Sequence, residues 1–259
     1  MRAGIALGIA ATLVLGTCTP TPTISSRPTT SNAPLAGSIT VFAGSSLTDA
    51  FKKAGDEITK SNPDARFTFN FGSSSTLATQ ITNGAPADVF ASADDANMQK
   101  IVDAKLTDGA AAPFAGNRLQ IVVAPGNPKR IAGLADLARL DVVLVLAAPT
   151  VPAGKYALEA LTKAGVSAKP VSQEVDVRAV LNKVSLGEAD AGIVYVTDVK
   201  SAPGRVTGID IPDQQQVIAR YPIAVVKDSK SARLAHGFVD YLLSPAGQSV
   251  LAEFGFSKP

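Results

Sequence analysis

The chain has 259 residues, 46% of them hydrophobic and 18% charged, with a formal net charge of +2. That length can bury a sizeable core, as one large domain or two modest ones. The near-balanced charge, with no Lys/Arg block and no basic stripe interleaved with aromatics, excludes a nucleic-acid-binding polycation.

Arg2 precedes an apolar run over residues 5–16 that is too short to span a bilayer, so residues 1–17 read as an export signal. Leu15-Gly16-Thr17-Cys18 resembles the lipobox of bacterial lipoproteins, in which the Cys becomes the lipid-modified first residue of the mature protein. An uncleaved anchor and a buried thiol are the plainer alternatives. Cys18 is the only cysteine, so it has no second thiol to pair with or to share a metal. Residues 18–36 are rich in Thr, Pro and Ser and read as the lipidated Cys followed by a flexible tether.

From Gly37 onward strands and helices alternate. Residues 38–43 predict a strand, and 47–60 a helix with Leu47, Ala50, Phe51, Ala54 and Ile58 on one face. Asn62-Pro63-Asp64 predicts a turn, 66–71 a strand, and 75–83 a helix ended by Asn83-Gly84. A short buried strand is expected at 87–91, a helix at 97–104, and an apolar strand at 119–124 broken by Pro125-Gly126-Asn127-Pro128. The pattern resumes with a strand at 142–147, a helix from Pro152 to about 164, a helix at 177–186 and a strand at 191–196. A strand at 223–226 and helices at 232–243 and 245–253 complete the chain. Such alternation predicts an α/β fold in two lobes, with parallel sheets covered by helices and the functional loops at the carboxyl ends of strands.

Two of those loops share one design. Ala43-Gly44-Ser45-Ser46-Leu47 and Phe71-Gly72-Ser73-Ser74-Ser75 each run a strand into a serine cluster that opens a helix. A helix start carries free N–H groups and the positive end of the dipole, and serine adds hydroxyl donors. Side by side, two such starts suit an anion, although a serine at a helix start is most often only a cap. Pro149-Thr150-Val151-Pro152-Ala153-Gly154 leads another strand into a helix through small residues, which opens the N–H near Ala153 to close approach. Asp176 reads as an N-cap that leaves the Val177 N–H free, and Tyr195 ends a strand with a phenol able to donate. Lys155 and Arg178 read as surface charges that at most steer anions inward, and Asp88 and Asp94 as loop caps.

Taken in order, these segments resemble the molybdate-binding proteins of bacterial ABC importers, a type II solute-binding family, over essentially the whole body from Ser38 to Lys258. The likeness rests on Val41-Phe42-Ala43 with Ser46-Leu47-Thr48, on Ser73-Ser74-Ser75-Thr76-Leu77-Ala78, and on Gly84-Ala85-Pro86-Ala87-Asp88. Ser92-Ala93-Asp94, Val151-Pro152-Ala153-Gly154, Asp176-Val177-Arg178 and Gly192-Ile193-Val194-Tyr195 complete it. The resemblance implies a two-lobed, periplasmic-binding-protein-like fold with the ligand cleft between the lobes. Lobe 1 would take residues 37–119 and 224–259, and lobe 2 residues 120–223. It implies an oxyanion held by Ser46, Ser74, Ala153, Val177 and Tyr195, with Ser45, Ser73 and Ser75 as additional candidates. Gly44 and Gly72 stand where relatives often carry alanine, which leaves the division of labour among adjacent donors open. No cofactor and no metal held directly by side chains is implied; the ligand is molybdate or tungstate. The implied partners are an ABC permease and its ATPase, the setting is the outer face of the cell membrane through a lipid anchor, and the protein is a monomer. The same fold binding sulfate or another small oxyanion is the nearest alternative. A serine hydrolase is poorly supported, because His236 is the only histidine and Gly-x-Ser-x-Gly is absent. A purely structural surface lipoprotein would leave the convergent helix starts without purpose.

Overall fold

The computed structural model describes Met1, Ala3, Gly4 and residues 34–259. The export signal, Cys18 and most of the tether lie outside the described residues. Among the described residues, nine strands form one curled sheet: β1 (Gly37–Gly44), β2 (Ala65–Gly72), β3 (Val89–Ala91), β4 (Ala112–Val123), β5 (Leu144–Ala147), β6 (Ser172–Glu174), β7 (Ala191–Tyr195), β8 (Thr207–Asp210) and β9 (Ile218–Val225). They run in the order β2-β1-β3-β9-β4-β7-β5-β6, with β8 paired to β4. The outer pairs β1–β2, β1–β3, β5–β6 and β5–β7 are parallel, whereas every pairing of β4 and β9 is antiparallel.

β4 is therefore shared. Its first part, to Arg118, pairs with β9; from Leu119 it pairs with β7, and from Gln120 with β8 as well. Sequence reasoning expected only the apolar end of this strand, from residue 119. The first part reads Ala-Pro-Phe-Ala-Gly-Asn-Arg and lacks strand periodicity; its pairing with β9 makes it extended. β9 likewise begins at Ile218 rather than at 223.

Eight α-helices among the described residues cover the sheet: α1 (Thr48–Ser61), α2 (Ser74–Thr82), α3 (Asp95–Asp103), α4 (Pro152–Lys163), α5 (Val177–Ser185), α6 (Val196–Lys200), α7 (Ala232–Leu243) and α8 (Pro245–Glu253). α1 buries Ala50, Phe51, Ala54, Gly55 and Ile58 on one face, and ends where Asn62 donates its N–H to the Ile58 carbonyl ahead of Pro63. Phe51 and Phe67 both pack against Phe238 of α7 at 5.4 Å between ring centroids. The opposite face of the sheet is closed by Leu77, Ala78 and Ile81 of α2 and Met98 and Ile101 of α3 against Phe42 and Phe90. In the other part of the sheet, α4 and α5 bury Ala157, Ala160, Leu161, Val180, Leu181 and Val184. Residues 34–259 pack as one unit.

β6, β8 and α6 were not foreseen. β6 is three polar residues, β8 is four, and α6 is five residues long, all below the length at which a period can be read. α6 follows directly on β7, where the sequence suggested that the strand runs on to Val196.

Gly154 shows how tightly helix and strand meet. A Cβ there would strike the carbonyl oxygens of Ala147 and Ala148, because the first turn of α4 sits directly on the end of β5. Gly154→Ala should lower stability by about 1–3 kcal/mol in denaturant unfolding. Gly133→Ala, where an added Cβ meets nothing within 4 Å, should stay near wild type. Equal stability of the two variants would refute the close packing.

Candidate functional site

Five strands end around one small cavity. β1 and β2 deliver Gly44-Ser45-Ser46 and Gly72-Ser73-Ser74, β3 leads to Ala93, β5 leads to Val151-Pro152-Ala153, and β7 ends on Tyr195. Val177, the first residue of α5, completes the lining. The cavity measures about 10 Å³, room for about one water molecule, whereas pockets for organic ligands run to roughly 300–1,000 Å³. None of the lining side chains carries a charge at neutral pH.

The lining is rich in donors. Ser74 is the first residue of α2, Ala153 the second of α4 and Val177 the first of α5, so their N–H groups have no partner within their own helices. α2 and α5 are capped behind them, whereas α4 has no side-chain cap. Ser73 Oγ accepts the Thr76 N–H, and Asp176 Oδ1 accepts the Ala179 N–H. Ser74 Oγ accepts the Ala93 N–H at 2.9 Å, which leaves its own proton free to donate. Ser46 Oγ lies 2.9 Å from Tyr221 Oη. Tyr195 Oη is fully buried and is the one buried side-chain polar atom among the described residues without a hydrogen-bond partner. Leaving such a hydroxyl unpaired costs about 1–3 kcal/mol, so a buried phenol turned into a cavity is an observation that points to a ligand. Burial also pushes its pKa well up, so it remains a protonated donor.

The structure brings together all five residues singled out as binders, Ser46, Ser74, Ala153, Val177 and Tyr195, along with Ser45 and Ser73. Ser75 is not among the lining residues; its hydroxyl lies 3.1 Å from Ser73 Oγ within the cap. Asp94 caps α3 through the Asn97 N–H, and Asp88 accepts the Thr40 N–H, as loop caps should. His236 pairs with Asp108 at the surface and does not line the cavity, so no histidine stands beside the serines to act as a base. Gly154 is needed for the packing of α4 on β5, a different reason from the close ligand approach that the run of small residues suggested.

Arg178 corrects the sequence reading. It is not a steering charge on the surface. Its Nε donates to Asp198 Oδ1 and its Nη2 to Asp49 Oδ2, each at 2.8 Å, and the side chain is only 22% exposed. Asp198 is wholly buried, and its other oxygen accepts the Tyr195 N–H at 3.0 Å. One guanidinium thus ties together the segments that carry Ser46, Val177 and Tyr195. A single sequence offered no signal for this, because Asp49 lies 129 residues from Arg178.

The sequence profile of a family described as bacterial extracellular solute-binding protein matches residues 39–257. The molybdate-binding protein ModA of Mycobacterium tuberculosis H37Rv is 44% identical over 224 residues, 86% of each chain. Among solved structures, the periplasmic molybdate-binding protein of Azotobacter vinelandii superposes with a TM-score of 0.77 at 20% identity, covering 85% of this chain and 99% of that one. The sulfate-binding protein SubI of Mycobacterium tuberculosis H37Rv gives the same TM-score and identity, covering 85% of this chain and 86% of that one. At such identities the likeness establishes the α/β fold of periplasmic binding proteins and does not choose between anions.

Burial pushes the Asp198 carboxyl up to about 6, against the lowering pull of Arg178 and the Tyr195 N–H. Between the ordinary value of 3.8 and about 6 the folded chain keeps a proton that the unfolded chain has lost. The resulting stabilisation is complete below that window and is lost as pH rises through it. Relative to Asp198→Asn, wild type should therefore gain on the order of 2 kcal/mol on going from pH 7 to pH 4. Denaturant unfolding of both proteins at the two pH values checks this; parallel pH profiles would contradict it.

Proposed function

The chain belongs to the bacterial extracellular solute-binding protein family, and from that premise we propose that it captures molybdate, and tungstate with it, for an ABC-type importer. The observation that carries this reading is a small cavity without charged side chains, lined by helix starts, serine hydroxyls and an unpaired buried phenol. A dianion loses a very large solvation energy on burial, and only replacement hydrogen bonds offset it. Hydrogen bonds to a charged acceptor contribute about 1.5–3 kcal/mol each, so several convergent donors do so without a counter-charge. The 44% identity to a protein named for molybdate binding supports this anion over others.

In this reading Ser46, Ser74 and Tyr195 donate through hydroxyls and Ala153 and Val177 through backbone N–H groups. Ser45 and Ser73 stand next to them. Molybdenum is bound as its oxyanion, with no direct side-chain ligand and no cofactor. The protein is a binder and not an enzyme. The two lobes part to admit the ligand and close over it, with β4 and β9 as the connection. Export, lipid modification at Cys18 and a monomeric state complete the proposal, and a membrane permease with its ATPase receives the ligand.

Sulfate is the alternative with a specific observation behind it, the equal structural likeness to a sulfate-binding protein. Sulfate has the same charge but is smaller, so its oxygens would not reach donors from both lobes at once. Losing two or three contacts at about 1–3 kcal/mol each separates the anions by roughly a thousandfold or more. Because a ligand that binds only the folded state raises its stability as RT ln(1 + [L]/Kd), micromolar molybdate or tungstate should raise the Tm strongly and millimolar sulfate or phosphate little. Equal shifts with sulfate at matched concentration would make this a general oxyanion binder.

Ser46→Ala, Ser74→Ala and Tyr195→Phe should each weaken molybdate binding about ten- to a hundredfold in calorimetric titration. Ser185→Ala, whose hydroxyl bonds the Asn182 carbonyl at the surface, should bind as wild type. Wild-type affinity in all three site variants would eliminate this cavity as the binding site. Cys18→Ala should release the protein from the membrane fraction or leave it unprocessed, with binding by the folded body unchanged; membrane partitioning equal to wild type would remove the lipoprotein assignment.

A further inference from the structure

Behind Ser46 lies a chain of buried polar groups that does not touch the cavity. Tyr221 of β9 is fully buried, and its hydroxyl has two hydrogen-bond partners among the described residues, Ser46 Oγ at 2.9 Å and Asn117 Nδ2 at 3.4 Å. Asn117 of β4 is also buried, and its orientation is fixed. Its Oδ1 accepts the Arg118 N–H at 3.0 Å, so the other end of the amide must be the NH2 group. That NH2 group also donates to Thr197 Oγ1 at 2.9 Å.

The direction of the chain follows from donor arithmetic. An amide NH2 only donates, so Tyr221 Oη accepts from Asn117. Of the two hydrogen-bond partners of the Tyr221 hydroxyl, only Ser46 Oγ can accept its single phenol proton. If Ser46 donated to Tyr221 instead, the phenol proton would be buried without a partner, at a cost that the observed arrangement avoids. Tyr221 therefore donates to Ser46, and the proton of Ser46 is left to point into the cavity. Ser74 is held the same way by the Ala93 N–H. Burial pushes the Tyr221 pKa well up, so the phenol stays protonated and the direction holds across the physiological range.

We propose that Tyr221 and Asn117 are positioning residues that fix Ser46 as a hydrogen-bond donor toward the bound oxyanion. This rests on the functional reading above. Neither side chain reaches the ligand; they act through Ser46. Asn117 stands on β4 and Tyr221 on β9, the two strands that the halves of the sheet share.

A double-mutant cycle tests the relay, with molybdate as the titrant and calorimetry as the readout. Tyr221→Phe should weaken binding about tenfold in the otherwise wild-type protein and have no further effect in the Ser46→Ala background. A merely structural role of Tyr221 would lower affinity to the same extent in both backgrounds. Asn117→Ala gives a second cycle should Tyr221→Phe fold poorly. It should weaken binding severalfold, again only when Ser46 is present. Additive effects in either cycle, or wild-type affinity of Tyr221→Phe, would overturn the relay while leaving the functional reading intact. Absence of molybdate, tungstate and sulfate binding by the wild-type protein would overturn both.

Discussion

The N–H and O–H donors of three helix starts, two serines and a buried phenol converge on one small cavity in this protein. Three α-helices and a 3-10 turn (Ser45–Leu47) begin around that space, and none of the side chains lining it is a carboxylate. Without a ligand such an arrangement is costly, as the unpartnered Tyr195 hydroxyl illustrates. With an anion the same groups become a cage, because each donor replaces a hydrogen bond that water would have made. The topology of the sheet follows from this requirement. Parallel strands flanked by helices point their carboxyl ends, and hence the helix starts that follow, toward a common region.

Holding the cage shut is the work of charges kept outside it. Arg178 joins Asp49 at the start of α1 to Asp198 at the start of α6, and its own helix begins with Val177. A guanidinium suits this role because its planar fork satisfies two carboxylates at once while remaining ionised. Its charge is matched by two acids, so the cavity does not depend on a bare cation. A neutral cage discriminates by distance and direction of its donors, whereas a point charge would attract any anion of sufficient charge. The fold alone does not distinguish anions, since it is shared equally with a sulfate binder and a molybdate binder.

The strands β4 and β9 carry a second burden. They connect the two halves of the sheet, and they also hold Asn117 and Tyr221, whose hydrogen bonds reach Ser46. A single pair of antiparallel strands thus links the frame to the site. The aromatic packing around them, with Tyr221 edge-on to Phe114 and Phe256 and tilted steeply against Tyr195, leaves these hydroxyls little freedom to move.

The sequence by itself determined the alternation of strands and helices, the positions of the helix starts and the donors they expose. These are local matters: the period of apolar residues, a serine or aspartate before a helix, a proline at its first turn. Ser46, Ser74, Ala153, Val177 and Tyr195 were legible for that reason, each at the end of a strand and the start of a turn or helix. The first half of β4, the short elements β6, β8 and α6, and the surroundings of the site were decided only by tertiary structure. Arg178 lies 129 residues from Asp49, and Tyr221 lies 175 residues from Ser46 and 104 from Asn117. Which charge is neutralised and which hydroxyl proton is turned toward the cavity depends on such distant partners. A single chain read along its length has no term for them, because their hydrogen bonds exist only once the sheet has brought the strands together.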